Sequence, residues 1–234
     1  MSRRTRETRT HMPILHLVRH AQPDFHGDYD SITALGRDQA AWLGAHYREL
    51  GVHFDRSISG RLKRQRQTLE IMLGEMSLSP ALQLDARFDE YDADRVLTLF
   101  GGHHAAAARA SGDRRAYFKA LGDALLTWSQ DSAPHEGCET WIQFGARVRG
   151  AVEDSQAGLV RDARILVVTS GGVIGRLVAD ILDADAEGAI ALNLQTRNTG
   201  ITEIVFGRSA RRLIAFNNVP HLERAGRMHA LTHS

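Results

Sequence analysis

Two short apolar segments far apart in the chain, Ile14-Leu15-His16-Leu17-Val18 and Ile165-Leu166-Val167-Val168, each stop abruptly at a polar cluster. The first runs into Arg19-His20-Ala21-Gln22-Pro23-Asp24 and the second into Thr169-Ser170-Gly171-Gly172. Runs this short, this apolar and partly β-branched read as strands buried on both faces. Between and around them the period changes to that of helices. Thr33 caps a helix carrying Ala40, Leu43, Tyr47 and Leu50 at helical spacing, closed by Gly51. A strand over 54–58 precedes Ser59-Gly60 and a second helix through about Leu73, and a third strand is expected around Leu82 to Phe88. Residues 92–137 are less regular, with a helix around Arg114 to Trp128, and read as a helical insertion packed beside the sheet. A long helix from about Glu139 to Gln156, a helix from Val173 to Leu182, and closing strands near 201–206 and 211–216 complete the pattern. Strands alternating with helices imply an α/β fold, a three-layer α/β/α sandwich with a mostly parallel sheet that binds ligands at the C-terminal ends of its strands.

Length and charge narrow the function. A chain of 234 residues without an internal repeat or a dividing linker is read as one domain over 12–234, preceded by a disordered basic tail at 1–11, with Met12 an alternative start. The net charge of +1 argues against nucleic acid or membrane as the main partner. Lys63 and Lys119 are the only lysines, a skew that reflects codon bias more simply than a phosphate-binding design. Cys138 is the single cysteine, which excludes an internal disulfide or a multi-cysteine zinc site. No apolar run approaches the roughly 18 residues of a membrane span, and the basic start leads into no stretch of signal-peptide type, so a cytoplasmic location is expected.

Chemistry concentrates at three strand ends. Arg19-His20 follows the first strand, and the backbone N–H groups at Ser170-Gly171-Gly172 open a helix, a site suited to an anion. A basic cluster from Ser59 to Thr68 follows the second strand, and helical spacing lets only one or two of its cations face a pocket. At these residues the chain resembles the histidine phosphatase superfamily, the phosphoglycerate mutase-like phosphatases. Leu17-Val18-Arg19-His20-Ala21 is similar to that family's first motif, and Ile32 to Ala40 to its continuation. Ser59, Leu62, Arg64, Gln67 and Thr68 match a second motif, Phe88-Asp89-Glu90 falls where the family carries an acid, and Ile165 to Ile174 resembles its strand and glycine turn. The motifs keep their order over roughly residues 13 to 222.

The resemblance implies a metal-independent phosphomonoesterase without a cofactor, acting on a small phosphorylated substrate. His20 would attack phosphorus and carry the phosphoryl group, since neutral imidazole is nucleophilic near pH 7. Arg19 and Arg64 would clamp the non-bridging oxygens with forked hydrogen bonds. Glu90 would protonate the leaving oxygen and then deprotonate water, with Asp89 and Asp92 as neighbouring acids. Ser170 and Gly171 would contact the phosphate, and residues 92–137 would form part of a substrate roof.

Two departures bear on activity. The glycine that the family carries after the nucleophile is Ala21, and its second catalytic histidine is replaced by Ser170, which brings no positive charge. Losing such a donor costs on the order of 3 kcal/mol, a hundredfold or more in rate. A catalytically silent protein binding phosphorylated ligands or inorganic phosphate is therefore the alternative, with a phosphoglycerate mutase behind it. Ser170 also reads as a plain helix N-cap, and the serine-hydrolase elbow fails because Val168 stands where that motif needs glycine. His103, His104 and His135 are solvent-facing or replace the missing histidine. His26 lies near the first motif, and His221 falls in a segment, Asn217 to Leu222, that resembles a family tail. Arg61, Lys63 and Arg66 read as a solvated helix face, Trp42, Trp128 and Trp141 as core or interface, and the scattered histidines lack a metal-site spacing.

Overall fold

The computed structural model describes residues 12–77, 82–103, 107–108, 112–160, 162–206 and 211–233. The basic tail at 1–11 and His104 lie outside them. Strands β1 (Ile14–Arg19), β2 (Arg56–Ser59), β3 (Gln83–Leu84), β4 (Arg164–Thr169), β5 (Ile201–Phe206) and β6 (Arg211–Asn218) form one sheet in the order β3-β2-β4-β1-β5-β6. The β3-β2-β4-β1 half is parallel, and β5 and β6 add an antiparallel edge. The register pairs Leu17 with Val167 and Arg19 with Thr169, which brings the polar clusters ending the two apolar strands side by side.

Alternation along the strands sorts two cores. Leu15, Leu17, Ile165, Val167 and Ile204 face one side, where they pack with α3 (Ala93–Phe100), α4 (Arg114–Gln130), α5 (Trp141–Ser155) and α6 (Gly171–Leu182). Val18, Leu166, Val168 and Ile201 face the other, beneath α1 (Ala34–Glu49) and α2 (Lys63–Glu75). Helix α7 (Ala186–Gln195) packs on α6. This is the expected α/β three-layer arrangement. Thr33 caps α1 by accepting from the Gly36 amide at 3.0 Å, and Gly51, with φ of +62°, closes it. Trp128 lies in the first core against Trp141, and Trp42 packs under the Arg227 guanidinium. Among the described residues no helix is long and apolar enough to cross a membrane.

The expected third strand shrinks to Gln83–Leu84, because the Asp85 carboxylate accepts from the Arg87 amide and turns the chain into a 3₁₀ helix over Ala86–Phe88. Two helices were not expected, α3 and α7, each capped by an aspartate, Asp92 and Asp185, accepting from the first turn.

Gly175 shows how tightly α6 and α7 meet. A Cβ there would stand 2.6 Å from both the Ala189 carbonyl and the Asn193 amide. Gly175→Ala is expected to lower stability by about 1–3 kcal/mol through overpacking. Gly74, in α2 with open space around it, is expected to respond oppositely, Gly74→Ala gaining about 0.5–1 kcal/mol. Urea unfolding of the two variants checks both signs.

Candidate active site

The end of β1 is held on every side. The His20 amide donates to the Thr169 carbonyl at 2.8 Å, its carbonyl accepts from Asn198 Nδ2 at 3.1 Å, and the Ala21 amide donates to Thr68 Oγ1 at 3.0 Å. Arg19 is bracketed in the same way, its amide donating to the Gly200 carbonyl and its carbonyl accepting from Thr199. Thr199, at φ +56°, accepts at its hydroxyl from buried His221 Nε2 at 2.8 Å and donates to the Asn198 carbonyl. His221 therefore supports the turn that holds the His20 backbone.

The His20 ring is buried, with Nδ1 2.8 Å from the Ala21 carbonyl. A carbonyl only accepts, so Nδ1 carries the proton and Nε2 presents a lone pair, toward which Arg64 Nε donates at 3.3 Å. Burial holds the His20 pKa well below the ordinary 6.5, and the charges of Arg64 and Arg19 add to the effect. The imidazole is consequently neutral and nucleophilic at pH 7. Arg19, also buried, donates to the Thr196 carbonyl. Arg64 pairs with Asp30 at 2.9 Å and lies 5.1 Å from the Tyr29 ring centroid.

The acid comes from the far side of the sheet. Glu90 Oε2 accepts from the Gly172 amide at 3.0 Å, and burial raises the Glu90 pKa above its ordinary 4.5 against these hydrogen bonds and the arginines. A Cβ on Gly172 would meet Glu90 Oε1 at 2.3 Å, so the approach requires glycine. Neighbouring acids do other work, Asp89 accepting from the amide and side chain of Arg61 and Asp92 capping α3. Arg147 anchors this segment, donating to the Arg87 and Asp89 carbonyls while pairing with Glu139.

Ser170 occupies the N-cap position of α6 without a capping hydrogen bond from its hydroxyl, which accepts instead from Gln65 Nε2 at 2.8 Å. Gly171 is buried where a Cβ would collide with Asn193 Oδ1 and Thr196 Oγ1, each 2.6 Å away. A cavity of about 550 Å³ unites Arg19, His20, Arg64 and Glu90. Among the described residues His20 is the only histidine lining the cavity, and His103 and His135 are not part of that lining; His135 pairs with Asp131. His26 lines a smaller cleft of about 170 Å³ that shares Arg19 and Tyr29 with the cavity. Arg61 lines the cavity at its exposed side, whereas Lys63 pairs with Asp28. The sequence reading overlooked Asp30, Asn198, Gln65 and the ring of Tyr29, none of which has a local pattern marking it.

A family model described as Histidine phosphatase superfamily (branch 1) matches residues 15–219. A broad-specificity phosphatase of Saccharomyces cerevisiae is 26% identical over 226 residues, covering 89% of this chain and 86% of the relative. A 2,3-bisphosphoglycerate-dependent phosphoglycerate mutase of Rhizobium johnstonii is 28% identical over 77% of this chain and 84% of its own length. The fold is similar to that of a mycobacterial glucosyl-3-phosphoglycerate phosphatase solved with inorganic phosphate, at a TM-score of 0.63 and 23% identity over 90% of this chain and 99% of that one.

Three buried histidines make the fold sensitive to acid. Burial lowers the pKa of His16 to about 4, of His221 to about 3, and of His20 well below the ordinary 6.5. Below pH 6.5 the unfolded chain binds protons that the native histidines refuse, so each removes about 1.4 kcal/mol of stability per pH unit until its folded pKa is reached. Glu90, with its raised pKa, works in the opposite sense and offsets part of one. Urea unfolding is expected to give a stability at least about 2 kcal/mol lower at pH 5 than at pH 7. A flat profile over that range would contradict the assignment of three neutral buried imidazoles.

Proposed function

The chain belongs to the histidine phosphatase superfamily, and we propose that it hydrolyses small phosphomonoesters through a phosphohistidine on His20, without a metal. The observation carrying this reading is the tautomer of His20, whose unprotonated Nε2 meets the Arg64 guanidinium in the cavity that also holds Glu90. Nε2 attacks phosphorus as the ester oxygen departs, and the Glu90 carboxyl, whose pKa burial raises, gives that oxygen its proton. The Glu90 carboxylate then takes a proton from the water that attacks the phosphohistidine, releasing inorganic phosphate and restoring His20 and the acid. Arg19 and Arg64 neutralise the phosphoryl oxygens, Arg64 turning from His20 and Asp30 toward the ligand.

Ser170 favours a second reading, a phosphate-binding protein without turnover. Its hydroxyl, tied to Gln65, brings no cation to the transition state at the start of α6. The attraction that Arg19 and Arg64 exert on phosphate does not depend on that position.

His20→Ala is expected to abolish hydrolysis of an aryl phosphate, while a chelator leaves the wild-type rate unchanged. Undiminished turnover in that variant would overturn the phosphohistidine route. Restoring a cation at position 170 requires room, because Gln65 fills the space beside the serine. The double variant Ser170→His with Gln65→Ala is therefore expected to raise kcat about tenfold or more, and a flat kcat in a folded protein would show that Ser170 does not limit the rate.

A further inference from the structure

Resting on the phosphomonoester reading, we propose that the cavity selects phosphate esters whose alcohol carries an aromatic body and no second negative charge, with Phe118 and Tyr117 as the specificity-determining surface. The floor supplies two cations for the phosphoryl group, Arg19 and Arg64. The third arginine lining the cavity, Arg61, is engaged by Asp89 through both its amide and its Nε. Beyond the floor the lining turns acidic, with Asp92 and Asp94 exposed at the mouth. A carboxylate or second phosphoryl group on the substrate would face like charge there.

The walls are apolar and ordered. Helix α4 sends Tyr117, Phe118 and Leu121 into the cavity, Leu121 lying four and three residues on from the two rings, and Leu62, Tyr91 and Leu194 complete the apolar lining. Tyr117 and Phe118 meet edge to face at 5.2 Å, and Phe25 meets Tyr117 at 5.6 Å in the same geometry. Interlocked rings hold their positions before a ligand arrives, which lowers the ordering cost of binding another ring against them. Tyr29, edge to face with Phe25 at 6.2 Å and beside the Arg64 guanidinium, joins this wall to the phosphate floor. The adjoining cleft contains one more arginine, Arg114, whose guanidinium lies over Phe25 and Phe118 and donates to the His233 carbonyl. Its guanidinium is thereby engaged by two rings and a carbonyl.

Two hydrolysis-inert ligands with the same phosphonate and the same two-carbon spacer isolate the property, 2-phenylethylphosphonate and 3-phosphonopropionate. Calorimetry at pH 7 is expected to give a dissociation constant at least about tenfold lower for the phenyl ligand, the scale of burying one ring. Phe118→Ala is expected to shrink that ratio below about threefold, and Asp92→Asn with Asp94→Asn to shrink it from the other side by tightening 3-phosphonopropionate. Asparagine preserves the cap of α3, so the second variant tests the idea even where the first fails to fold. Equal affinities, or a preference for the carboxylate ligand, would overturn the proposal. Turnover of 2-phenylethyl phosphate separates this from the reading beneath it. Selective binding without turnover leaves the ligand class standing and removes the hydrolase, whereas turnover with equal affinities removes the ligand class alone. A protein that binds neither phosphonate overturns both.

Discussion

The hydrogen bond from His20 Nδ1 to the Ala21 carbonyl decides what the site is able to do. It places the ring proton on one nitrogen and leaves the other as a lone pair among arginines. The bond is dependable only because the backbone beneath it cannot move. The peptide groups from Arg19 to Ala21 are engaged by β4, by the turn at Asn198 to Gly200, and by Thr68 in α2. Three separate stretches of chain thus converge on one imidazole, and the buried pair of His221 and Thr199 supports the convergence from behind.

Environment then separates the two titrating groups. Burial disfavours charge on both, yet with opposite consequences, since it lowers the pKa of His20 and raises that of Glu90. A neutral imidazole and a carboxyl of raised pKa thus face one cavity. The arginines sharpen the difference on the histidine side and oppose it on the carboxyl side, so burial remains the larger cause in each case. At the start of α6 the Ser170 hydroxyl accepts from the Gln65 side-chain amide, so that position carries no charge.

The layers explain where variation is possible. The parallel half of the sheet aligns the ends of β1, β2 and β4, and Arg19 and His20 stand at the first of those ends. Other parts of the cavity lining come from α3, α4 and α7, with α4 packed on both of the others and α3 and α4 in the first core. Ring contacts along α4 can therefore change without disturbing the backbone contacts that hold His20.

Much of this was legible in the sequence. The apolar runs at 14–18 and 165–168, the Thr33 cap and the glycine pair at 171–172 determine strands, helix starts and strand ends through local sterics and periodicity, and the motif positions of Arg19, His20, Arg64 and Glu90 fall in one cavity. What failed locally was the third strand, turned aside by Asp85, and the helix over Ala186–Gln195, whose apolar residues do not gather on one helical face. The contacts that set chemistry were beyond any local signal. Asp30 on Arg64, Glu90 on the Gly172 amide, Gln65 on Ser170 and Asn198 under His20 join residues 34, 82, 105 and 178 positions apart. Periodicity reports which face of an element is buried, but partners across such separations are chosen by strand order and crossover, which exist only once the sheet has assembled.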